Sequence, residues 1–361
     1  MVWKAEGLGI GYSGPAVVGD VLYTMGQRDN QDWVLALDLS AEGKQLWATP
    51  LGQVRHNGSG YPGPRATPTF DDGKLYTISI SGDLACLEAK SGKLLWKRDL
   101  KNDFGGKAPQ WGYAESPLVD GNLVLFTPGG QKATLAAVSK TAGKPVWAAP
   151  IGDGAGYSSI IKTNIAKVDQ YVQLTAKGIV GIDAKSGRPL WRYDGPANNQ
   201  GINITTPVVL GQTVCSASGY GHGGGAAWIK RSSQDYEVDE LWFSKDIKNH
   251  HGGLILLDGY LYGANDPGML TCIEYKTGKT VWQNREPGKC SVLYADGMLY
   301  CRSEKGPLTL VEATPEEYRS KGRFEQPSRS DKAAWPHPVI ANGMLYLRDQ
   351  DVLLCYDVRA Q

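Results

Sequence analysis

A short cassette recurs along this chain and constrains its fold more than any other feature. It consists of a small-residue turn, a glycine, and a tryptophan four positions after that glycine. The clearest copy is AKSGRPLW, Ala184 to Trp191, and related copies end at Trp47, Trp96, Trp147 and Trp282. Trp242 divides the longest interval, so these tryptophans recur roughly every 40–50 residues, a period typical of solenoids, arrays and propellers.

Each repeat also has the pattern of antiparallel strands. An apolar run such as the one from Pro15 is interrupted by a two-residue turn, and a third strand such as Val34 to Leu39 follows a variable loop. The interrupting pairs are strong hairpin signals, and they are Gly19-Asp20, Asp72-Gly73, Asp120-Gly121, Asp258-Gly259, Asp296-Gly297 and Asn342-Gly343. With the tryptophan strand as the fourth, each repeat predicts a four-stranded antiparallel propeller blade.

The number of first strands predicts an all-β, eight-bladed propeller in a single domain, residues 1–361. The first strands are expected near Pro15, Pro68, Pro117, Ser159, Pro207, Gly253, Val292 and Pro338. The eighth repeat has only three strands, and the segment Met1 to Ala5 is predicted to complete it, with Trp3 at the tryptophan position. This pairing closes the ring and removes an open sheet edge. Two repeats depart from the pattern: the seventh has Phe324 in place of tryptophan, and the fifth has a long glycine-rich loop, Ser218 to Gly225.

The totals argue against several classes of protein. Lys and Arg number 38 against 37 Asp and Glu, a net charge of +1, so no nucleic-acid partner is expected. No apolar run is long enough to predict a membrane span. The N-terminal MVWKAEGLG contains no apolar segment, so we expect a leader to be absent from this sequence. Cys86, Cys272 and Cys355 occupy the same strand position in three repeats, which favours small buried thiols over a disulfide framework.

Candidate binding residues are expected on one face of the blades. Because strands alternate in direction, loops before first strands and loops between second and third strands lie on the same side. All five histidines fall in these loops: His56, His222, His250, His251 and His337. Variable loops on a rigid scaffold often form binding sites. The alternative is that these loops are simply longer, and both interpretations stay open.

Residues that open the first strands are predicted to surround a central funnel, because the first strand of a blade is innermost. His222 is added to this set from the glycine-rich loop. The predicted funnel residues are Tyr12, Arg65, Trp111, Tyr113, Glu115, Tyr157, Asn203, His222, His250, His251, Lys289, Trp335 and His337. Aromatic planes beside directional polar groups suit a carbohydrate-like small molecule. A polar funnel filled with water and without a dedicated ligand is the alternative. The seven tryptophans on fourth strands are interpreted as packing residues between blades.

Chemistry in the funnel is a further hypothesis. The candidate catalytic residues are His250, His251, His337, Tyr113 and Arg65, since histidine, tyrosine and arginine around one cavity could abstract and deliver a proton. No metal site is predicted, because adjacent side chains such as His250 and His251 point to opposite sides of a strand. A site joining one of them to His337 or Glu115 stays open.

Two further stretches receive structural interpretations. The segment Arg348 to Asp351, RDQD, is interpreted as a charged tight turn with internal ion pairs. The glycine-rich loop leads into a strand and not into a helix N-terminus, so no phosphate site is predicted there.

The repeated tryptophan cassette around eight blades resembles the quinoprotein alcohol dehydrogenase-like superfamily, whose repeats are called PQQ-like. GYSGP, WGYAESPL, NHHGG and WPHPVIANGMLYLRDQD are similar to segments of bacterial PQQ-binding-like propeller repeat proteins. The superfamily includes pyrroloquinoline quinone (PQQ) dehydrogenases and cofactor-free propellers. The resemblance therefore implies PQQ and calcium as candidate cofactors and an extracytoplasmic location, periplasmic or secreted. The chain lacks the vicinal cysteine pair of the dehydrogenases and their large insertions.

These observations predict an extracytoplasmic ligand-binding or scaffold module. Its partner is expected to be a carbohydrate-like small molecule or a peptide of a partner protein. The alternative is an enzyme acting on sugars or alcohols, either PQQ-dependent or using metal-assisted or His-Tyr acid–base chemistry. The sequence leaves open which of these holds.

Overall fold

The structure, a computed structural model, describes residues 1–233 and 235–359. These residues form eight four-stranded antiparallel sheets, the blades of an eight-bladed β-propeller, as the repeat pattern predicts. The chain divides into two compact units, Met1–Ala155 with Ser328–Gln361 and Gly156–Pro327, which are described one after the other. The prediction of a single domain stays a prediction.

The first unit, here unit 1, contains blades 1, 2, 3 and 8. Blade 1 consists of β2 (Ala16–Val18), β3 (Val21–Arg28), β4 (Gln31–Asp38) and β5 (Lys44–Gln53), and blade 2 of β6 (Thr69–Asp71), β7 (Lys74–Ile78), β8 (Asp83–Glu88) and β9 (Leu94–Asp99). Blade 3 consists of β10 (Leu118–Asp120), β11 (Leu123–Phe126), β12 (Leu135–Ser139) and β13 (Pro145–Ala149). Blade 8 consists of β30 (Val339–Ala341), β31 (Met344–Asp349), β32 (Val352–Asp357) and β1 (Trp3–Ala5). A 3₁₀ turn (Gly58–Gly60) and a short helix α1 (Leu100–Phe104) lie in the loops after blades 1 and 2.

The second unit, unit 2, contains blades 4 to 7. Blade 4 consists of β14 (Ile161–Ile165), β15 (Val168–Leu174), β16 (Ile179–Asp183) and β17 (Pro189–Tyr193), and blade 5 of β18 (Val208–Leu210), β19 (Thr213–Ser218), β20 (Gly223–Ser232) and β21 (Asp235–Ser244). Blade 6 consists of β22 (Ile255–Leu257), β23 (Tyr260–Asn265), β24 (Met269–Glu274) and β25 (Thr280–Asn284). Blade 7 consists of β26 (Cys290–Ala295), β27 (Met298–Ser303), β28 (Leu308–Glu312) and β29 (Ser320–Phe324). All eight predicted first strands are present. Among the described residues no helix has the length and apolar character needed to cross a membrane.

The N-terminal strand completes blade 8, as predicted. β1 pairs antiparallel with β32, and Trp3 lies opposite Cys355 in the register. The backbone N–H of Val2 also donates to the Cys355 carbonyl at 2.7 Å. The first and last strands of the chain are therefore hydrogen-bonded neighbours in one sheet, and blade 8 depends on both.

The predicted hairpin turns join first and second strands. Four of them place both turn residues at positive φ, the conformation that Asp-Gly and Asn-Gly pairs favour, and these are Asp72-Gly73, Asp258-Gly259, Asp296-Gly297 and Asn342-Gly343. One assignment is shifted by one residue, because Asp120 ends β10 and the turn is formed by Gly121 and Asn122. The turn of blade 4, Ala166-Lys167, also has two positive φ angles without any glycine.

The cassette glycine packs directly against the tryptophan ring of the preceding blade. A β-carbon at Gly143 would lie 2.7 Å from the Trp96 ring, and one at Gly43 would lie 2.8 Å from Trp3. The indole N–H of Trp96 donates to the carbonyl of Lys140, three residues before Gly143, at 3.1 Å. Glycine and tryptophan recur together because each cassette has two roles. Its glycine packs against the indole of the preceding blade, and its tryptophan packs against the glycine of the following blade. For Trp3, Trp47, Trp96 and Trp242 the predicted packing role between blades is confirmed.

Blade 5 interrupts this arrangement, and one prediction about it is wrong. The expected long glycine-rich loop is a short turn, because β19 ends at Ser218 and β20 begins at Gly223. Gly224 and Gly225 lie inside β20, where a β-carbon would meet Ala217 or Tyr193. The β20–β21 hairpin replaces the cassette, so Trp191 donates its indole N–H to the Gln170 side chain of its own blade at 2.6 Å.

Blade 7 has the predicted phenylalanine, Phe324, in its fourth strand. Its stretched connection still receives the tryptophan of blade 6, since Trp282 donates its indole N–H to the Thr314 carbonyl at 2.9 Å. The Tyr318 ring lies 5.8 Å from the Trp282 ring, edge to face. Trp282 therefore keeps its hydrogen bond to the connection of blade 7, although the sequence of that connection differs from the other cassettes.

Candidate functional site

Unit 1 brings three aromatic rings and one guanidinium together in the loops before first strands. The Trp335 ring lies 4.8 Å from the Tyr12 ring and 5.1 Å from the Tyr61 ring, tilted by 39° to each. The Arg65 guanidinium lies 5.4 Å from the centre of the Tyr12 ring, within cation–π range. We call Tyr12, Tyr61, Arg65 and Trp335 the aromatic–arginine cluster. Its exposure is graded, since Tyr12 is 6% exposed, Tyr61 is 39% exposed and Trp335 is intermediate.

Backbone contacts fix the shape of this cluster. Arg65 donates from Nη1 to the Gly63 carbonyl at 2.9 Å and from Nη2 to the Tyr61 carbonyl at 2.7 Å. The backbone N–H of Tyr12 donates to the Pro64 carbonyl at 2.8 Å. A β-carbon on Gly63 would lie 2.5 Å from the Gly11 α-carbon, so the two loops approach at a distance that only glycine permits. The cluster is thus held by loop backbone before any ligand arrives.

A buried carboxyl group lies near the cluster. Asp32, in β4, is 1% exposed, and its Oδ2 accepts the Ile80 backbone N–H at 2.9 Å. Its Oδ1 is buried without a hydrogen-bond partner in the described part of the chain. Burial raises the pKa of Asp32 to about 6, with Asp83 adding to the rise and Arg65 opposing it. This carboxyl group therefore titrates close to neutral pH in the folded protein.

His56 lies in the same loop as Arg65 and has a structural contact. Its Nδ1 accepts the Gly58 backbone N–H at 3.0 Å. Burial and the neighbouring Arg65 charge lower the pKa of His56, so the imidazole is neutral at pH 7. His56 therefore shapes the loop without adding charge to the cluster.

Unit 2 brings two histidines, a lysine and two carboxylates together, and we call them the histidine–lysine cluster: His250, His251, Asp266, Lys289 and Glu304. Lys289 Nζ lies 2.5 Å from His250 Nδ1 and pairs with Asp266 Oδ1 at 3.0 Å. His250 Nδ1 lies 3.4 Å from Asp266 Oδ2, and His251 Nε2 lies 3.2 Å from Glu304 Oε2. The lysine ammonium occupies the point on which His250 and Asp266 converge.

The environment of the histidine–lysine cluster sets its charges. Hydrogen bonds from His250 and Lys289 hold the pKa of Asp266 well below its usual range, although burial acts in the opposite direction. Burial lowers the pKa of His251, and Glu304 opposes that shift. The ring of Tyr220, which is exposed, lies 4.6 Å from the His250 ring. The cluster thus combines an ionised carboxylate, an ammonium group and a partly exposed imidazole.

Several predicted funnel residues are buried and bonded within their own unit. Tyr113 donates its hydroxyl to the Pro128 carbonyl at 2.8 Å. Glu115 accepts the backbone N–H and the hydroxyl of Thr127 at 2.7 and 3.0 Å. Asn203 donates to the Thr175 carbonyl at 2.9 Å. These contacts organise the loops before blades 3 and 5.

The remaining predicted residues vary in exposure. Tyr157 is buried, and its backbone N–H donates to the Asn203 carbonyl at 2.8 Å. His222 is half-buried with Nε2 at 2.8 Å from the Gly195 carbonyl. Trp111 is half-buried and His337 is exposed. The predicted funnel combines residues of both units, and it stays a prediction.

The RDQD turn makes contacts well outside the turn itself, and its predicted internal ion pairs stay a prediction. Arg348 is fully buried and donates to the carbonyls of Ser13, Met25 and Gly9 and to the Thr24 hydroxyl. Asp349 pairs with Arg329 at 3.3 Å, and Asp351 accepts the backbone N–H groups of Gly7 and Gly9. Arg348 and Asp351 thus connect blade 8 to blade 1 and to the segment before it.

The residues present do not fit PQQ with calcium. All six cysteines are free and buried within strands, and the sequence contains no vicinal pair. In the described ranges, no three His, Cys, Asp or Glu side chains are placed to hold a metal ion. A quinone cofactor with a calcium ion needs oxygen donors that converge, and the described acidic side chains do not supply such a set.

The blades, the docked tryptophans and the cassette glycines define a propeller of the PQQ-like repeat class. Comparison with known proteins then places the chain within that class. The family model described as outer membrane protein assembly factor BamB matches residues 30–284, more than half of the chain, and the chain belongs to this family.

Individual relatives agree with this assignment. The chain is 24% identical over 299 residues to outer membrane protein assembly factor BamB of Burkholderia pseudomallei, which covers 78% of this chain and 68% of that protein. The solved structure of BamB from Moraxella catarrhalis matches with a TM-score of 0.67 at 14% identity over 95% of both chains. A europium-containing methanol dehydrogenase matches with a TM-score of 0.68 at 14% identity over 96% of this chain and 84% of that one. At such identities these two structures show the fold alone.

Proposed function

We propose that this chain is an extracytoplasmic scaffold that binds a partner protein, and that the aromatic–arginine cluster is a contact site for that partner. The observation that carries the proposal is the composition and exposure of the cluster. Tyr, Trp and Arg are the residue types that dominate the energetics of protein interfaces. Here they lie in one place, half open to solvent, with Tyr61 and Trp335 as the accessible rings.

The rigidity of the cluster supports the same function. Ordering a flexible side chain on binding costs about 0.5–1.5 kcal/mol. Arg65 is already fixed by the Gly63 and Tyr61 carbonyls and by the Tyr12 ring, so little of this cost remains. The cluster is therefore suited to act as a preformed anchor point.

Family membership supports a role in assembly at the cell envelope. The relatives in the matched family are named as outer membrane protein assembly factors. By analogy we place this chain outside the cytoplasm, where it would hold a partner during such assembly. A carbohydrate-like ligand on the same rings is the competing hypothesis, and the Tyr61 and Trp335 faces would suit it as well.

A complementation experiment tests the proposal in the source bacterium. A strain lacking the gene receives wild type, Tyr61→Ala or Trp335→Ala, and the amounts of outer-membrane β-barrel proteins are measured. We expect both variants to restore these amounts less well than wild type does. Matched controls are Tyr294→Ala and Trp228→Ala, because these rings are 38% and 37% exposed but lie elsewhere.

The outcomes separate the hypotheses. Cluster variants that fold like wild type and restore β-barrel proteins fully would overturn the proposal. A photoreactive amino acid at position 61 should crosslink to a protein of the envelope, whereas the same residue at position 294 should not. Crosslinking to glycan in place of protein would favour the carbohydrate hypothesis.

A further inference from the structure

Two cysteines meet in blade 7, in a way that no other blade repeats. In the register of β26 and β27, Cys290 lies opposite Ser303, and Val292 lies opposite Cys301. Cys290 and Val292 are two residues apart on one strand, so Cys290 and Cys301 point to the same face as diagonal neighbours. Both are fully buried, and the Cys290 and Cys301 side chains lie within interaction distance of each other.

The other four thiols are separated from one another along the fold. Each lies in a different blade: Cys86 in blade 2, Cys215 in blade 5, Cys272 in blade 6 and Cys355 in blade 8. Cys86, Cys272 and Cys355 each lie in the third strand, with a tyrosine opposite on one side and a tryptophan opposite on the other. Blade 7 alone has two cysteines, and they lie on neighbouring strands.

We propose that Cys290 and Cys301 form an intramolecular disulfide when the chain meets a disulfide oxidant, joining the first two strands of blade 7. The oxidant is a low-molecular-weight or protein disulfide. One S–S bond forms in the chain and the S–S bond of the oxidant breaks. The two thiol protons leave with the oxidant, which becomes two thiols. This modification site is independent of the partner site in unit 1.

The geometry favours a reversible bond. Diagonal neighbours across an antiparallel pair have α-carbons about 7–8 Å apart, whereas disulfides span about 4.4–6.8 Å. The two residues must therefore come closer by roughly an ångström through a local shift or twist of β26 and β27, and the bond is expected to be strained and easily reduced. Blade 7 is also the blade whose outer strand holds Phe324 in place of the docked tryptophan.

Burial decides when the bond can form. The hydrogen bond with Cys290 and burial raise the pKa of Cys301 well above its ordinary value, so the reactive thiolate is scarce in the folded chain. The oxidant reaches these sulfurs during folding or after local opening of the blade. The bond is thus expected to form as the chain folds in an oxidising compartment.

A thiol count tests the proposal. Reduced, unfolded protein is refolded in oxidised and reduced glutathione, and the free thiols are then alkylated under denaturing conditions and counted by mass. Wild type, which has six cysteines, is expected to keep about four free thiols, with Cys290 and Cys301 in one crosslinked peptide. Excess reduced glutathione should restore about six.

Matched variants make the count specific. Cys290→Ser and Cys301→Ser should keep all their remaining thiols, whereas Cys86→Ser should still lose two. Six free thiols in wild type at the most oxidising glutathione ratio, or a crosslink between other cysteines, would overturn the proposal. The same thiol count can be made without refolding, on protein exported to a bacterial periplasm and on protein kept in the cytoplasm. We expect about four free thiols in the exported protein and about six in the cytoplasmic protein. The refolding arm does not depend on where the natural protein resides.

Discussion

The Trp47 ring of blade 1 lies against the α-carbon of Gly92 in blade 2. A β-carbon at Gly92 would lie 2.5 Å from the Trp47 Cε3 atom, well inside van der Waals contact. The Trp47 indole N–H donates to the Ala89 carbonyl at 3.1 Å, in the same cassette. One glycine thus holds the indole of the neighbouring blade.

Gly92→Ala should destabilise the protein strongly. The new methyl group must displace the docked Trp47 ring, and overpacking of this kind costs about 1–3 kcal/mol. The positive φ of Gly92, 72°, adds about 1–2 kcal/mol for a residue with a side chain. Chemical denaturation measures the loss in the free energy of unfolding.

Gly73→Ala is a matched control in the same blade. Its φ is 70°, and a β-carbon there has no atom within 4 Å. Gly73→Ala should therefore lose only the part of the free energy of unfolding that comes from the positive φ. Equal losses for Gly92→Ala and Gly73→Ala would contradict the docking account of the cassette.

Removing residues 1–4 should lower the melting temperature markedly. The deletion removes most of β1, which is the fourth strand of blade 8, and it removes the buried Trp3 side chain. Loss of a buried tryptophan alone costs about 3–5 kcal/mol. The control is Val2→Ala, because this side chain is mostly exposed and the change keeps the backbone pairing with Cys355. An unchanged melting temperature after the deletion would refute the completion of blade 8 by the N-terminus.

The fold could be predicted from the sequence because its determinants are local and repeated. A glycine and a tryptophan four residues apart indicate the fourth strand of a blade and its contacts with the neighbouring blades. Asp-Gly pairs indicate the hairpins between first and second strands. Where a repeat loses these signals, prediction fails. Gly223 to Gly225 looked like a loop, yet they form a strand, since their packing depends on Ala217 and Tyr193 from elsewhere in unit 2.

The candidate site could be predicted only in part, because its members come from distant loops. Tyr12, Arg65 and Trp335 were on the predicted set, but Tyr61 and Asp32 were not. Asp32 precedes an apolar run inside a strand, and nothing local indicates that its carboxyl group is buried. Glu115 is in the predicted set because its polar side chain suggests a ligand contact. In the structure its two carboxylate oxygens accept hydrogen bonds from Thr127.

Addition of PQQ and calcium should leave the tryptophan fluorescence of the protein unchanged, apart from the absorbance of PQQ itself. The described residues offer no converging set of metal-binding side chains, and the cysteines lie buried in strands. A titration in the micromolar range, with a quinoprotein dehydrogenase as positive control, measures this. Saturable quenching, together with dye reduction by a sugar or an alcohol, would contradict the expectation and favour the enzyme hypothesis.

Asp32→Asn should stabilise the protein at pH 8 and have little effect at pH 4. The folded-state pKa of Asp32, about 6, exceeds its ordinary value of 3.8, so the folded state binds a proton more tightly than the unfolded state. Stability from this group is therefore full below pH 4 and is lost as the pH rises through 6. A shift of about two pKa units corresponds to roughly 3 kcal/mol at pH 8. Asparagine keeps an acceptor for the Ile80 N–H without the charge, although its amide group lacks a partner, so we expect a gain of about 2 kcal/mol.

Urea denaturation at both pH values measures the difference between the variant and wild type. Asp38→Asn provides the control, because Asp38 is a surface carboxylate whose pKa is lowered by its hydrogen bonds to Ser40. With a lowered pKa the sign reverses, so this variant should lose stability, and the loss should grow as the pH rises above 4. A difference between Asp32→Asn and wild type that is the same at pH 4 and pH 8 would show that Asp32 does not hold its proton more tightly in the folded chain.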